Sequence, residues 1–328
     1  MTGHLPVVVA LGPVDPALVA GVLDGYCRFV PDPGAAELAV AAGAIVRAEA
    51  RVDQALLDQA PGLRVVARTG VGVELVDVAA ATARGIAVVI TPGTGTAAVA
   101  EGAIGMALHL VKRFGPLTTL VREGRWTQRT RVPVGDLGDA TLGVVGFGRI
   151  GQRTAELGRA FGMEILAYDP VSEPPADVRC AGLGDLAARS DVISLHLPLT
   201  GETRHLVDDA FLAGVKPGTV LVNCSRGALI DNDAVFRALT AGRLSGVGLD
   251  VFDPEPPRPH PLYEHPDVVL TPHLMGLSRR ATAATFTAAA RGVLDVLAGR
   301  EPQAVANPDW LIHRQPSPPP VVPEGQAS

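Results

Sequence analysis

Between residues 144 and 151 the chain reads Val-Val-Gly-Phe-Gly-Arg-Ile-Gly, at the end of an apolar run that starts at Thr141. Gly146, Gly148 and Gly151 carry the spacing G-x-G-x-x-G. In that spacing the first glycine permits a tight turn and the second lets the backbone approach a pyrophosphate. The third lets a helix pack closely on the preceding strand. The helix amino terminus then offers unpaired N–H groups to the phosphates. Taken alone the pattern also reads as a plain glycine-rich turn; its place between a strand-like run and a helix-like one is what points to a bound dinucleotide. The next strand-like run, Glu164 to Tyr168, ends in Asp169, 18 residues beyond Gly151. A carboxylate there accepts hydrogen bonds from adenosine ribose hydroxyls and repels a 2'-phosphate. No Lys or Arg follows at once to offset it, so the cofactor expected is NAD rather than NADP.

The rest of the chain repeats the strand–helix alternation in two series. In the first hundred residues Val7–Leu11, Cys27–Val30, Ala44–Arg47, Leu63–Arg68 and Ile86–Ile90 read as strands. Pro16–Leu23, Ala35–Ala42, Val52–Gln59 and Leu75–Arg84 read as the helices between them. A single long helix is expected from Ala97 to Val121, and Arg129–Gly138 reads as a linker or wrapping loop. The second series has strands near 142–146, 163–168, 191–195, 218–223, 245–249 and 268–270, and Ser278–Leu297 is an alanine-rich last helix. A length of 328 residues suits two domains, one of them discontinuous. The boundaries expected are 1–102 with 283–314 for the substrate domain and 103–282 for the dinucleotide domain. The Pro/Ser-rich stretch 315–328 reads as a disordered tail.

Bulk properties remove several classes. A net charge of -6, with no Lys/Arg cluster, argues against nucleic acid. The apolar stretch Pro6–Leu11 is far too short to span a bilayer, and no signal-peptide pattern precedes it. Three scattered cysteines, Cys27, Cys180 and Cys224, suit neither a disulfide scaffold nor a metal cluster, so no metal is expected. A reduced, cytoplasmic protein is the expectation.

Three isolated polar residues follow successive strands of the second series. Arg226 stands in Val-Asn-Cys-Ser-Arg-Gly, where a guanidinium can clamp a carboxylate with two parallel hydrogen bonds. Glu255 lies between Pro254 and Pro256, and His273 in Thr-Pro-His-Leu-Met-Gly. Only histidine titrates near neutrality unaided, and an imidazole base needs a carboxylate to fix its tautomer and raise its basicity. The set fits removal of a hydroxyl proton coupled to hydride transfer, or the reverse. Taken singly, each residue reads equally well as an ordinary loop side chain.

With these motifs in order, the chain resembles the D-isomer-specific 2-hydroxyacid dehydrogenase family over nearly all of its length before the Pro-rich tail. Further matching segments are Ser194–Thr200 with Thr203-Arg204-His205, and Leu249–Phe252 with Glu255-Pro256. The resemblance implies a Rossmann-type NAD-binding domain inserted in a flavodoxin-like α/β substrate domain. It implies His273 as general acid/base, Glu255 raising its pKa, and Arg226 binding the carboxylate and orienting the carbonyl of a small 2-oxo acid. Arg149 and Ile150 match positions beside the pyrophosphate, Asp250 a position near the nicotinamide amide, and Cys224 the nicotinamide pocket. His196, Pro198, His273 and Gly276 are further cofactor contacts on the same basis. The loop Arg68-Thr69-Gly70-Val71-Gly72 resembles one whose amides receive the substrate carboxylate, which makes Val71 and Gly72 substrate contacts. A homodimer through the cofactor domain is implied as well.

The chain departs from the family pattern at Glu74, Leu75, Gly95 and Gly102, the last standing where a histidine is usual. These positions leave the substrate open among phosphoglycerate-type, glyoxylate/hydroxypyruvate-type and bulkier 2-oxo acids. Only a short phosphoglycerate-type enzyme without a regulatory domain would fit, with Arg64, Arg68 and Arg131 as candidate phosphate contacts. The alternative of another class is an NAD-sensing interaction protein of the corepressor kind, which would need a docking surface outside the cleft.

Overall fold

The computed structural model describes residues 5–175, 178–180 and 182–313. The expected tail at 315–328 lies outside the described residues. The chain divides into two compact units, Met1–Gly95 with Arg279–Ser328 and Thr96–Ser278.

The first unit opens with β1 (Val7–Leu11), α1 (Ala17–Leu23), β2 (Arg28–Val30), α2 (Ala35–Ala39), β3 (Ala41–Val46), α3 (Gln54–Gln59), β4 (Val65–Arg68), α4 (Val78–Ala83) and β5 (Ala87–Val89). Its strands form one parallel sheet in the order β2-β1-β3-β4-β5, the flavodoxin-like order. Two helices begin later than the apolar pattern suggests, for a capping reason. Asp53 accepts from the Leu56 amide and Asp77 from the Ala80 amide, so each aspartate is the cap and the helix starts after it. The helix expected over Ala35–Ala42 ends at Ala39, because Ala41 already pairs with Val7 in the sheet. A run of alanines satisfies either period, and the neighbouring strand decides.

The second unit comprises α5 (Thr96–Val111), α6 (Phe114–Arg122), β6 (Thr141–Val145), α7 (Arg149–Ala160), β7 (Glu164–Tyr168), β8 (Arg179–Cys180), α8 (Leu183–Arg189), β9 (Val192–Leu195), α9 (Asp209–Gly214), β10 (Thr219–Asn223), α10 (Asn232–Thr240), β11 (Leu244–Leu249), α11 (Pro261–Glu264) and β12 (Val268–Leu270). The sheet order is β12-β11-β10-β9-β6-β7-β8, all parallel, and the direction of winding reverses between β6 and β9. That reversal opens a crevice at the carboxyl ends of β6 and β9, the ligand position of a Rossmann-type sheet.

The expected helix Ala97–Val121 is two helices. Arg113 adopts a left-handed backbone with φ 57°, which ends α5, and its guanidinium reaches Asp267 at 2.8 Å and the Ser245 carbonyl at 3.1 Å. Pro116 sits in the first turn of α6, where a missing amide costs nothing. The expected linker at Arg129–Gly138 begins inside a 3₁₀ turn, Trp126–Arg131.

α5 presses directly on the sheet through glycines of β11. A Cβ on Gly246 would lie 2.9 Å from Leu110 Cδ2, and one on Gly248 3.0 Å from Met106 Cβ. The chain closes with α12 (Arg279–Leu297), which belongs to the first unit. Its Phe286, Ala289, Ala290 and Val293 cover the sheet face carrying Val8, Ala10, Ile45 and Val65. Val9, Ala44, Val46 and Val66 point to the opposite face, under Leu57 and Ala81. This period-two alternation with both faces covered explains why the strands read as continuous apolar runs. No helix among the described residues is long and apolar enough to cross a membrane.

Candidate active site

The glycine loop leaves β6 with Gly146 at φ 95°, a region that side chains rarely adopt. A Cβ there would also lie 2.6 Å from the carbonyl carbon of His196, at the neighbouring strand end. A Cβ on Gly151 would sit 2.0 Å from the Gly146 oxygen, so helix α7 can start only over a bare backbone. Gly148 is different: a Cβ there meets nothing within 4 Å, and α7 carries no side-chain cap. Open space in front of uncapped amides at Arg149 and Ile150 is what a pyrophosphate requires. The residues present fit a dinucleotide.

Asp169 follows β7 beside the glycine loop. One carboxylate oxygen accepts from the Phe147 amide at 2.7 Å and the other from the Val171 and Ser172 amides at 2.9 and 3.1 Å. Burial works to raise its pKa, but the hydrogen bonds from Val171, Phe147 and Ser172 outweigh it and hold the group below the usual aspartate value. It is ionised at neutral pH and tied to the loop that carries the glycines. His196 sits beside them with Nε2 2.9 Å from Ser194 Oγ, and burial pushes its pKa down to about 4. Its ring is neutral. Pro198 is exposed on the same strand end, while Cys224 is buried with its sulfur 3.9 Å from Met106 Sδ. Burial drives the Cys224 thiol up to about 12, so it is an inert wall and not a nucleophile.

Arg226 follows β10 on a pinned loop. Asn223, fully buried, donates to the Arg226 carbonyl at 2.8 Å and accepts from the Ser225 amide at 3.0 Å. Ser225 Oγ donates to the Leu197 carbonyl at 2.6 Å. The next residue explains the proximity of two loops. A Cβ on Gly227 would fall 2.0 Å from the Phe252 carbonyl carbon, so only glycine lets the chain after β10 touch the chain after β11. That contact brings Arg226 close enough to act electrostatically on Glu255 and His273.

His273 and Glu255 are joined directly. Nδ1 of the imidazole lies 2.9 Å from Glu255 Oε2, and Glu255 Oε1 accepts from the Phe252 amide at 3.0 Å. The hydrogen bond to Glu255 raises the His273 pKa above the ordinary histidine value. Burial opposes this, the charges of Glu255 and Asp250 add to it, and Arg226 subtracts. For Glu255 burial acts upward, but the bonds from His273 and the Phe252 amide, with the charges of His273 and Arg226, hold it below the usual glutamate range. With Nδ1 committed to the carboxylate, Nε2 is the nitrogen left for a substrate.

The backbone of His273 is itself in the left-handed region, at φ 55°. A residue with a side chain is strained there and persists only when its surroundings fix it. Asp250 supplies the fixing. It is 2% exposed, and its carboxylate accepts from Thr271 Oγ1 at 2.6 Å, the Leu274 amide at 2.9 Å and the Met275 amide at 3.1 Å. The sequence marks Asp250 only as a cofactor contact, and its clamp on the histidine loop was not legible there. Gly276 closes this loop, 3.5 Å from Val99 by a built Cβ. Arg204 pairs with Asp253 at 3.2 Å, a second tie to the Glu255 loop.

Val71 and Gly72 lie in the first unit, on the loop after β4. The Gly70 carbonyl accepts from the Thr91 amide at 3.0 Å, so in the trans peptide the Val71 N–H points the opposite way. Arg68, 5% exposed, donates Nε to the Gly72 carbonyl at 2.9 Å and Nη1 to the carbonyls of Val46 and Arg47. Its Nε and Nη1 are engaged by backbone oxygens, which ties the guanidinium to the loop that carries Gly72. Among the described residues the Val71 and Gly72 amides donate to no protein acceptor. No group of three or more His, Cys, Asp and Glu that could hold a metal occurs among the described residues.

Strand order and glycine loop thus define a dinucleotide-binding α/β protein of the Rossmann type. Residues 104–275 match the family described as D-isomer specific 2-hydroxyacid dehydrogenase, NAD binding domain. The D-3-phosphoglycerate dehydrogenase of Mycobacterium bovis is 38% identical over 324 residues, covering 96% of this chain and 61% of that protein. The glyoxylate reductase of Thermococcus litoralis is 37% identical over 277 residues, covering 81% of this chain and 83% of that one. A crystal structure of D-lactate dehydrogenase from Aquifex aeolicus, complexed with NAD and lactic acid, is similar with a TM-score of 0.77. It is 28% identical and covers 89% of this chain and 96% of that chain. The chain belongs to the D-isomer specific 2-hydroxyacid dehydrogenase family. It spans 61% of the length of the Mycobacterium phosphoglycerate dehydrogenase.

Proposed function

We propose that the protein interconverts a small D-2-hydroxy acid and its 2-oxo acid with NAD as the redox partner. The observation that carries this reading is the His273–Glu255 pair at 2.9 Å, beside Arg226 at the carboxyl edge of a dinucleotide-binding sheet. When bound, NAD supplies the hydride acceptor at the nicotinamide ring. His273 Nε2 takes the hydroxyl proton as the C2 hydride leaves, and in reduction the imidazolium returns that proton to the carbonyl oxygen. Glu255 holds the ring by Nδ1 and stabilises the imidazolium. Arg226 holds the substrate carboxylate and polarises the carbonyl, and Val71 and Gly72 of the first unit are substrate contacts through their backbone amides. Asp169 selects NAD by accepting from the ribose hydroxyls.

The substrate is a small 2-oxo acid within the range that includes glyoxylate/hydroxypyruvate-type, phosphoglycerate-type and bulkier side chains. The protein works as a homodimer in this reading. Supporting that, α6 and the segment after it expose Phe114, Val121, Trp126 and Val134.

The test is NADH oxidation across glyoxylate, hydroxypyruvate, phosphohydroxypyruvate, pyruvate and branched and aromatic 2-oxo acids, for the protein and its His273→Ala variant. We expect at least one substrate, lost in the variant while NAD binding by fluorescence is retained. No turnover with any 2-oxo acid, or full turnover without His273, overturns the proposal.

A further inference from the structure

The loop that carries His273 touches α5 at Gly102, and the contact is a steric one. A Cβ built on Gly102 would lie 2.4 Å from Met275 Sδ, 2.8 Å from its Cγ and 3.0 Å from its Cβ. These distances reach back to the root of the methionine side chain. Swinging the terminal methyl aside does not relieve them; the side chain must leave its rotamer. The usual histidine at position 102 therefore cannot coexist with Met275 as it lies here. Met275 packs against the buried cluster that contains Ala103, Met106 and Cys224.

Met275 is two residues beyond the strained His273. Its amide is bound by Asp250, together with that of Leu274 and the hydroxyl of Thr271. The carboxylate clamps the main chain of the loop but leaves its tilt over the sheet to other contacts. The thioether seated over Gly102 supplies one on the side facing α5.

We propose that Gly102 and Met275 form a steric latch that sets the position of the His273 imidazole against Glu255, with Met275 as a positioning residue for the proton-transfer step. This rests on the reading of His273 as acid/base. The charged groups acting on that imidazole are Glu255, Asp250 and Arg226, and the latch alters none of them. It alters geometry alone.

The experiment compares Gly102→Ala, Met275→Ala and the double variant of the full chain. One readout is the kinetics of 2-oxo acid reduction. The other is the NMR titration of the His273 ring in the protein without cofactor, assigned with His273→Gln. Gly102→Ala should lower kcat about tenfold and leave the KM for NADH within about twofold, because the displaced group is the acid and not the cofactor loop. Its His273 titration should move to lower pH as the bond to Glu255 loosens. Met275→Ala should lower kcat about threefold, and the double variant should stay close to Met275→Ala, since the added methyl then meets only the remaining Cβ at 3.0 Å and no longer Sδ and Cγ.

Unchanged kcat and titration in Gly102→Ala, or losses that multiply in the double variant, would overturn the latch. Should Gly102→Ala fail to fold, Met275→Ala decides alone, and a titration identical to the parent rejects the proposal. Full activity of His273→Ala would sink the acid/base reading instead, and the ring titration would still report the latch.

Discussion

Replacing Glu255 with glutamine keeps the shape of the partner and removes its charge. The oxygen–nitrogen separation is 2.9 Å, which puts the charge centres about 4 Å apart when His273 is protonated. Coulomb's law gives about 1 kcal/mol for that separation in water and about 4 kcal/mol at an effective dielectric of 20. The two side chains are 47% and 40% exposed, so solvent screening keeps the value low in that range. About 1–2 kcal/mol of imidazolium stabilisation is at stake.

The direction follows from the raised pKa of His273. Reduction needs the imidazolium, so its alkaline limb should move down by roughly one pH unit in the variant. Oxidation needs the neutral ring, so its acidic limb should move down as well. Stopped-flow or steady-state kcat/KM profiles in both directions, at fixed ionic strength, measure this. Limbs that stay in place in both directions would refute the role given to Glu255. The same pair has a stability signature. The His273 contribution is present below its unfolded pKa and lost as pH rises through the folded one. The Glu255 contribution is present above its unfolded pKa and lost as pH falls through the folded one. The melting difference between parent and variant should therefore be largest at mildly acidic pH and shrink on either side.

Arg226→Ala should cost about 2–5 kcal/mol in kcat/KM for the 2-oxo acid, read from steady-state kinetics, with NADH binding unchanged. Unaltered reduction kinetics would reject the clamp. Asp169→Ala should reduce the preference for NADH over NADPH by at least about tenfold, because charge-assisted hydrogen bonds to the ribose are lost. An unchanged cofactor ratio would reject that assignment. Arg68→Met takes the side-chain donor from the Gly72 carbonyl and one of several donors from the carbonyls of Val46 and Arg47, and should lower stability by about 1–3 kcal/mol in urea unfolding. It should also raise the KM of the oxo acid while leaving that of NADH alone.

The dinucleotide loop was legible because its physics is local. Gly146, Gly148, Gly151 and Asp169 act within one strand–helix–strand passage, and each residue type has one reason to be there. Arg226, Glu255 and His273 were legible as types placed at strand ends. Gly227, which brings their loops together, carries no local signal, since the Phe252 backbone it must admit lies 25 residues on. The tasks of Asp250 and Arg68 within the fold were hidden for a related reason. Their partners are amides and carbonyls, which every residue has, and only tertiary placement reveals which ones they hold. Asp53 and Asp77 did carry a readable signal, the aspartate cap, that would have set both helix starts. Arg113 gave no such sign, although Phe-Gly-Pro after it pointed to an interruption. The two-residue strand Arg179–Cys180 is too short for any periodicity to show.

The parallel sheet of the second unit sorts its connections by direction. Turns that deliver a strand's final residue carry glycine loop, acid, clamp and base. Turns that lead into a strand carry none of these: Gly162 before β7, Gly218 before β10 and Gly242 before β11 sit at φ 80°, 86° and 72°. Around Gly218 and Gly242 a Cβ meets nothing within 4 Å. Those entry turns carry no residue proposed for the chemistry, so an insertion there leaves the exit turns untouched. An affinity handle or fluorophore belongs there, and a sequence drifting under selection for activity alone would accumulate its changes on that rim first.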